Sequence, residues 1–519
     1  MTATRRLTIP SLLTLAALAG IVMLPSFLFG PGATHSHLYN YIWTSQFGTA
    51  MAAGDLYPRW LPRSFEGLGS PTFYFYPPIA YWLAGGFDAL GLSTFQAINM
   101  AGLTLMLASG VAMYLWLAER GTAPLIGAAL YMAAPYHLID FFVRGALAEY
   151  AAFIWLPLIA LGIERLPRRR GAILLTVAWG AMIATHLPVA MLTALFLIMP
   201  LMGHRLWRDR AVLLPGACAG LAGTMLAAFY WLPALTLQDH ISASLLWDHG
   251  YLATAWSIWT SSFELFPCLV LGLILLAWPD RSIWTAIAVA AAMAAVRLIP
   301  FLWDIALLDK AQFPWRVLCI AEFATVTALV SARPRWPTWA MGGTLLLFPM
   351  LVCGITTAGN LSKTVDYARI MRVMPDAPEY LPAGFDLSRV THPDRWTDLS
   401  AARGLPAGDM IRVRRAGPVT LRHAAFPIWR VTRDGRPVPS AGPLIRFDAS
   451  PGVYRIERVA IWQERLGLWL SVAAALALLL ASALPIRLLS KFPPYSPFSA
   501  ISGWAGPPWL GRHRNRGGA

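Results

Sequence analysis

The chain has 519 residues, of which 57% are hydrophobic and only 13% charged, and its mean hydropathy is +0.55. Soluble globular proteins have roughly 25% charged residues, so this composition excludes an ordinary soluble domain and predicts a polytopic membrane protein. The net charge of +15 comes with no basic groove motif, which favours contact with anionic lipid over nucleic-acid binding. No Walker motif, dinucleotide fingerprint, H-E-x-x-H or C-x-x-C pattern supports ATP-driven transport or nicotinamide chemistry.

Apolar runs along the chain predict twelve membrane-spanning helices, since a span needs about 20 apolar residues. The first run follows Arg5 and Arg6 and exceeds the roughly 7–15 residues of a secretory h-region, so we expect an uncleaved first span. The predicted spans are 7–29, 96–117, 123–140, 149–164, 171–186, 188–203, 211–234, 263–279, 283–303, 314–332, 337–357 and 466–484.

The segment 73–92 is also apolar enough to cross a membrane, and the arginines decide how it is interpreted. If it crossed, the cluster at 168–170 would face outward, whereas arginine is retained on the cytoplasmic side. We therefore predict a juxtamembrane or re-entrant helix at 73–92 on the outer face. The protein would then lie in the bacterial inner membrane with both termini in the cytoplasm.

The composition changes at 358–465, which is rich in arginine, aspartate, proline and glycine. From Met410 onwards polar and apolar residues alternate, and Asp434-Gly435 and Ser450-Pro451-Gly452 supply turns, so we predict a small periplasmic antiparallel β domain. The predicted organisation is a transmembrane core at 1–357 that includes an outer loop at 31–95, a β-rich domain at 358–465, and a last span with a basic cytoplasmic tail at 466–519.

Residues 54–83 form the most distinctive stretch of the chain. Five prolines and three glycines exclude one continuous helix, and seven aromatic residues precede Ile79. Aromatic rings with a polar edge are favoured where hydrocarbon meets headgroups. This pattern predicts a shaped loop on one membrane face that can hold a lipid headgroup.

Several motifs resemble a bacterial membrane family labelled "6-pyruvoyl-tetrahydropterin synthase-related". They are Gly-Asp-Leu-Tyr-Pro-Arg-Trp from Gly54, Gly-Ser-Pro-Thr-Phe-Tyr-Phe-Tyr-Pro-Pro from Gly69, Arg144-Gly145-Ala146 with Glu149, Thr185-His186-Leu187-Pro188, and Gln312-Phe313-Pro314-Trp315-Arg316. The tail, with Phe426-Pro427-Ile428-Trp429 and Pro451-Gly452-Val453-Tyr454, is similar to the outer β domain of YfhO-like proteins.

That family is similar in layout to the GT-C glycosyltransferases, which take a sugar from a polyprenyl phosphate. The resemblance implies an all-α, GT-C-like membrane fold and a catalytic acidic residue just upstream of a histidine in the first outer loop. Here the matching stretch at 33–37 reads Ala-Thr-His-Ser-His and has no carboxylate.

Four residues are candidates for the base that deprotonates the acceptor hydroxyl. His35 and His37 could replace the missing carboxylate or bind a divalent metal ion with Asp55, or they could be an interfacial pair without a ligand. Asp55 is the best-placed carboxylate, although Gly-Asp also caps turns. Glu66 lies in a flexible Glu-Gly-Leu-Gly and could instead be a solvated loop residue.

The departing phosphate needs positive charge, and guanidinium groups offer it paired donors. Arg59 and Arg63 could clamp a phosphate or only contact headgroups. Arg144 and Glu149 bracket a turn between spans and could serve the site or form an ion pair that fixes the turn. The other predicted substrate-binding residues are Tyr57, Trp60, Tyr76, His186 and Arg316.

Two of the ionisable residues in apolar runs have structural alternatives. His186 could face a cavity or be a hydrogen-bonded core residue, and Glu322, in the middle of a span, should have a structural partner.

These features favour an integral membrane glycosyltransferase that moves a sugar from a polyprenyl-phosphate donor to an envelope acceptor on the periplasmic face. The alternatives are a non-catalytic membrane assembly or binding protein and a transporter of lipid-linked glycans. A transporter should show internal repeats, and the span pattern shows no convincing one. The predicted partners are the lipid-linked donor and membrane lipids, and a divalent metal ion is the only cofactor considered.

Overall fold

The computed structural model describes residues 7–30, 32–247, 252–255, 281–332, 367–391, 396–397 and 399–483, with 272, 351, 354–355 and 359. The predicted span 263–279, most of 337–357 and the tail from 484 lie outside the described residues. Within them the chain is mostly helical with a small β region near its C-terminus, which agrees with the predicted fold class.

Six of the described helices are long and apolar enough to cross a membrane, or up to eight spans are present if each of two bent helix pairs counts as one. The predicted number of twelve is therefore not confirmed. The six helices are Ile9–Phe29, Thr94–Glu119, Leu147–Glu164, Leu187–Arg208, Pro314–Ser331 and Trp462–Ala483. The bent pairs are Pro124–Met132 with Pro135–Arg144, at 43°, and Arg210–Leu226 with Ala228–Thr236, at 68°.

One predicted span ends where expected, and another is shorter than expected. The run 171–186 is helix Arg169–Thr185, with 17 residues, and it stops where His186 becomes extended before the next helix begins at Leu187. The run 283–303 is helical only over Ile283–Ala295, because Arg297 has a positive φ of 62° and Pro300 starts a separate short helix. Hydropathy alone does not register the break at Arg297.

The loop 31–95 contains helices rather than irregular chain alone. Helix His37–Ala52 packs on helix Ile79–Ala89, and Trp43 lies edge-on to Phe73 and Tyr81 with ring centroids 6.0 and 5.6 Å away. Helix Ile79–Ala89 has 11 residues. Its length of about 16 Å is too short to cross a hydrocarbon core of about 30 Å. The segment 73–92 is therefore not one of the membrane-spanning helices.

The remaining helices are short. They are Ser64–Gly67, Thr72–Phe75, Pro300–Trp303, Ala306–Asp309 and Tyr367–Val373, with 3-10 turns at Gln238–His240, Ala243–Trp247, Ala253–Ala255, Pro378–Tyr380, Leu387–Arg389 and Ser400–Ala402.

The β region is antiparallel, as the alternating pattern predicts. Strand Gly452–Arg458 pairs with Met410–Val413 on one side and with Trp429–Arg433 on the other, and Arg436–Val438 completes this four-stranded sheet. The predicted turn at Asp434 and Gly435 joins strands Trp429–Arg433 and Arg436–Val438. Its φ angles of 51° and 74° are positive, as a tight hairpin requires. The other strand pairs are Gly417–Ala424 with Leu444–Ala449 and Val390–Thr391 with Trp396–Thr397.

The β region contacts the loop 31–95 through both side-chain and backbone groups. The Trp60 ring stacks on His423 with centroids 5.4 Å apart, Glu66 pairs with Arg422 at 3.4 Å, and the Ala424 amide donates to the Leu68 carbonyl at 2.9 Å. The described residues up to Ala475, helices and strands together, form one compact unit.

Candidate active site at the Arg144 turn

The candidate site is built around a distorted helix end. The α-helix Pro135–Ile139 continues as a wider π-helical turn, Asp140–Arg144, and stops at Gly145, which has a φ of 62°. Turns of this kind are uncommon and occur frequently at functional sites. The turn places Asp140 and Arg144 side by side, with Arg144 Nη1 2.6 Å from Asp140 Oδ1.

The loop 31–95 holds this turn from the other side. The amides of His35 and Ser36 donate to the carbonyls of Val143 and Arg144 at 3.1 and 3.0 Å. The Asn40 side-chain amide donates to the Gly145 carbonyl at 2.6 Å. The histidine-containing segment and the Arg144 turn therefore form one structural unit.

Two arginines converge there on one carboxylate. Glu149 Oε2 forms an ion pair with Arg144, 2.8 Å from its Nη1, and accepts from Arg316 Nε at 3.2 Å. Its other oxygen, Oε1, accepts from the Tyr136 hydroxyl, which also accepts from Arg144 Nη1 at 2.7 Å. We call this set the Arg144 cluster, and its members are Tyr136, Asp140, Arg144, Glu149 and Arg316.

All four charged members of the cluster are largely buried, the anions more completely than the cations. Asp140 and Glu149 retain 0% and 1% of their side-chain accessible surface, whereas Arg144 and Arg316 retain 9% and 10%. Within the described chain, Arg144 makes its side-chain hydrogen bonds through Nη1, and Arg316 makes its own through Nε and Nη1. Nη2 of each guanidinium therefore remains a donor for a bound anion.

Arg316 is fixed by its own segment. Its Nη1 donates to the Ala311 carbonyl at 2.7 Å and to Gln312 Oε1 at 3.0 Å. The Phe313 ring lies against both guanidiniums, 4.9 Å from that of Arg316 and 5.9 Å from that of Arg144. The motif from Gln312 to Arg316 thus supplies both a cation and the apolar wall beside it.

Tyr76 and His186 lie close enough to interact electrostatically with Glu149 and Arg316. Burial raises the pKa of the Tyr76 phenol to about 12, although Arg316 opposes the rise, so this hydroxyl stays protonated at neutral pH. His186 Nδ1 accepts from the Val189 amide at 3.1 Å, which leaves the proton of the neutral ring on Nε2. Both side chains can therefore donate hydrogen bonds near the cluster.

Glu322 has a partner, as expected, but the partner is not a cation. Its carboxylate accepts from the backbone amides of Tyr136 and His137 at 2.6 and 3.2 Å. It therefore caps the helix that carries the Arg144 turn, because the first amides of a helix have no intrahelical acceptor.

Of the four predicted base candidates, the structure places only the histidines beside the Arg144 turn. His37 lines a small pocket with Asn40 and Gly145, and its Nδ1 donates to the Thr34 carbonyl. The neutral ring therefore has its lone pair on Nε2. His35 is exposed and contacts the turn through its backbone.

Asp55 and Arg59 belong to another group of charges. Asp55 is exposed and accepts from the Tyr57 amide at 3.1 Å, which is the turn-capping alternative. Arg59 donates to the Phe229 carbonyl at 2.9 Å and lies 3.7 Å from Glu464, over the ring of Tyr57. The Tyr57 hydroxyl in turn donates to the Phe73 carbonyl at 2.9 Å.

The remaining predicted residues of the loop contact other parts of the chain. Arg63 is exposed and donates to the Met371 carbonyl at 3.3 Å. Glu66 and Trp60 contact the β region through Arg422 and His423. The structure therefore does not bring these three residues to the Arg144 cluster.

The described residues contain no group of three His, Cys, Asp or Glu side chains that could hold a metal ion. The proposed set of His35, His37 and Asp55 is not such a group, because the histidines lie against the Arg144 turn while Asp55 caps a turn elsewhere. These three residues therefore do not fit a shared divalent metal ion.

Sequence reasoning missed Tyr136 and Asp140. The spacing Tyr136, Asp140, Arg144 is four residues each time, and such residues are neighbours on a helix. An aspartate four residues before an arginine in an apolar run therefore signals a buried pair, although the π turn could not be foreseen.

No protein-family model matches the sequence, and no curated protein matches it. Two solved structures of arabinofuranosyltransferase AftD from Mycobacteria, one of them a mutant, align with 69% of this chain at 16% identity and a TM-score of 0.46. The aligned region covers 28% and 27% of those chains, so this chain spans less than a third of their length.

Proposed function

We propose that this chain is a membrane glycosyltransferase, with a GT-C-like arrangement, that uses a polyprenyl-phosphate-linked sugar. The observation that carries the proposal is the pair of guanidiniums at Glu149, each with Nη2 left for a ligand, at the end of apolar helices. Lipid phosphates lie at that depth, and an acceptor exposed to water can meet them there.

Arg144 and Arg316 would bind the phosphate and stabilise its charge as the sugar leaves. Two guanidiniums would repel each other in a buried site, and Glu149 between them reduces that repulsion. The contacts with Tyr136, Asp140 and Gln312 fix both donors before the ligand arrives. Preorganised donors of this kind act more strongly where water is excluded.

We infer that His37 is the general base, because its segment is hydrogen-bonded to the Arg144 turn. Its Nε2 lone pair can take the acceptor proton, and Asn40, one helical turn away, ties the same helix to Gly145. Geometry and a suitable protonation state are both requirements for a base. In this mechanism the acceptor hydroxyl loses its proton to His37 and attacks the anomeric carbon, and the lipid phosphate departs towards the arginines.

The proposal is tested with Arg144→Lys and Arg316→Lys, which keep the charge but lose the forked donor geometry. We expect each to lower sugar transfer from a polyprenyl-phosphate donor at least tenfold. The control is Arg63→Lys, in the loop 31–95 but outside the Arg144 cluster. This variant should change the rate of sugar transfer less than twofold. Equal activity of all three variants, at equal expression, would overturn the proposal.

The variant His37→Gln distinguishes a transferase from a non-catalytic binding protein. In a transferase this variant should bind polyprenyl phosphate as the wild type does while transfer falls. If the wild type binds the lipid but transfers no sugar from any polyprenyl-phosphate donor supplied, the chain is a binding protein.

A further inference from the structure

A second charged site lies at the other ends of the helices that carry the Arg144 cluster. The apolar segment Leu147–Glu164 has Glu149 near its start and Glu164 as its last residue, about 22 Å apart by helical rise. Helix Thr94–Glu119 starts beside the loop 31–95, where Phe95 contacts Tyr41, and ends at the second site. The two sites are therefore near opposite surfaces of the helical bundle.

The second site is an open groove of about 690 Å³. Its charged lining has four arginines and two glutamates, with a formal net charge of +2: Arg120, Arg165, Arg168, Arg205, Glu119 and Glu164. The volume falls within the roughly 300–1,000 Å³ of small-molecule sites, so the groove can admit more than a single ion.

Three of the guanidiniums are held in place by neighbouring groups. Arg165 Nη2 contacts Glu119 at 3.0 Å, and Arg205 Nη2 donates to the Leu166 carbonyl at 2.6 Å. Arg120 lies over the Trp116 and Trp284 rings, 5.0 and 5.6 Å from their centroids. Because these contacts already restrict the arginine side chains, the side chains lose less conformational entropy when an anion binds.

Arg168 adds the fourth cation in a different way. It is exposed, it precedes helix Arg169–Thr185 as its N-cap residue, and its side chain forms no ion pair within the described chain. The amides at the start of that 17-residue helix place further positive charge at the groove.

We propose that this groove binds a phosphate-bearing ligand with at least two negative charges. The bordering helices are apolar, so the groove opens where a bilayer surface would lie, and basic pockets between helices at such surfaces bind lipid headgroups. A soluble polyphosphate offers the same chemistry. Neither ligand involves the Arg144 cluster, so this site stands independently of the proposed transferase activity.

The test uses the full-length protein in phosphatidylcholine nanodiscs, with binding measured by native mass spectrometry. The probes are cardiolipin, added in small mole fraction, and inorganic pyrophosphate. The variants are Arg168→Gln and Arg205→Gln, and the matched control is Arg170→Gln, an exposed neighbour that does not line the groove.

We expect Arg168→Gln and Arg205→Gln each to weaken binding of one probe at least fivefold, while Arg170→Gln stays within twofold. Loss of cardiolipin binding assigns a lipid headgroup, and loss of pyrophosphate binding assigns a soluble ligand. Equal binding of both probes by all variants, each with a wild-type unfolding temperature, would overturn the proposal. Because Arg168 makes no ion pair with the residues that the structure describes, its variant is informative even if Arg205→Gln fails to fold.

Discussion

Glu149 balances the charge of the two arginines in the Arg144 cluster. Replacing it with Gln would leave both guanidiniums buried, with Asp140 paired to Arg144 and no carboxylate bridging the two arginines. Breaking a buried ion pair by removing one partner costs about 3–5 kcal/mol. We expect Glu149→Gln to lower the free energy of unfolding by that amount, measured by chemical denaturation in detergent.

The control for this prediction lies on the same apolar segment. Glu164 has 45% of its side chain exposed and is 4.0 Å from Arg205, so Glu164→Gln should cost less than about 1 kcal/mol. Similar losses for the two variants would show that Glu149 does not stabilise the cluster.

The residues of the Arg144 cluster were partly predictable because ionisable groups in apolar runs require partners. That rule selects Arg144, Glu149 and Arg316 from the sequence. It does not place Asp55, Arg59, Arg63 or Glu66, because side chains of an irregular loop turn towards distant parts of the chain. Arg59, for example, contacts Phe229 and Glu464, and neither contact leaves a signal in the local sequence.

At the scale of single elements, the Arg144 turn depends on Gly145. Its φ of 62° disfavours a side chain, and an added Cβ would overlap Thr34 Oγ1 and lie 2.9 Å from Thr34 Cβ. We expect Gly145→Ala to loosen residues 34–40 from the turn and increase amide exchange of the Ser36 N–H. Hydrogen exchange by mass spectrometry measures this, and Gly86→Ala, with open space at its Cβ position, is the control. Unchanged exchange in Gly145→Ala would contradict this role.

The segment Pro378–Tyr380 gives the fold a pH dependence. Burial raises the pKa of the Glu379 carboxyl to about 7, so the folded state favours the protonated acid. Stability from this group is therefore present below its unfolded pKa of about 4.3 and is lost as pH rises through 7.

We expect Glu379→Gln to reduce the fall in unfolding temperature between pH 5 and pH 8. The measurement is thermal unfolding at both pH values, and Glu457→Gln, at an exposed position in a strand, is the control. If the unfolding temperature fell equally in the wild type and in Glu379→Gln, the pH dependence would not come from Glu379.

Element types were more predictable than element ends. The alternation from Met410 and the turn at Asp434-Gly435 specify the β strands because both are local properties. The end of helix Ile283–Ala295 depends on a single backbone conformation, at Arg297, that hydropathy does not register.

In the whole protein, the Arg144 cluster and the groove lined by Arg120, Arg165, Arg168 and Arg205 should face opposite sides of the membrane. The distribution of arginine among the loops predicts that the groove lies on the cytoplasmic side of the membrane. In a cysteine-free background, Arg170→Cys should react with a membrane-impermeant thiol reagent only after permeabilisation. Leu56→Cys, at a position with 72% exposure in the loop 31–95, should react in intact cells. Reaction of both from the same side would contradict the predicted topology.

The central claim is that Arg144 and Arg316 bind the phosphate of a lipid-linked sugar. Cryo-electron microscopy of the full-length protein with a polyprenyl phosphate tests it most directly. We predict phosphate density within hydrogen-bond distance of Nη2 of both arginines, and its loss in the Arg316→Lys variant. Phosphate density at another site, with the two guanidiniums unchanged and empty, would contradict the claim.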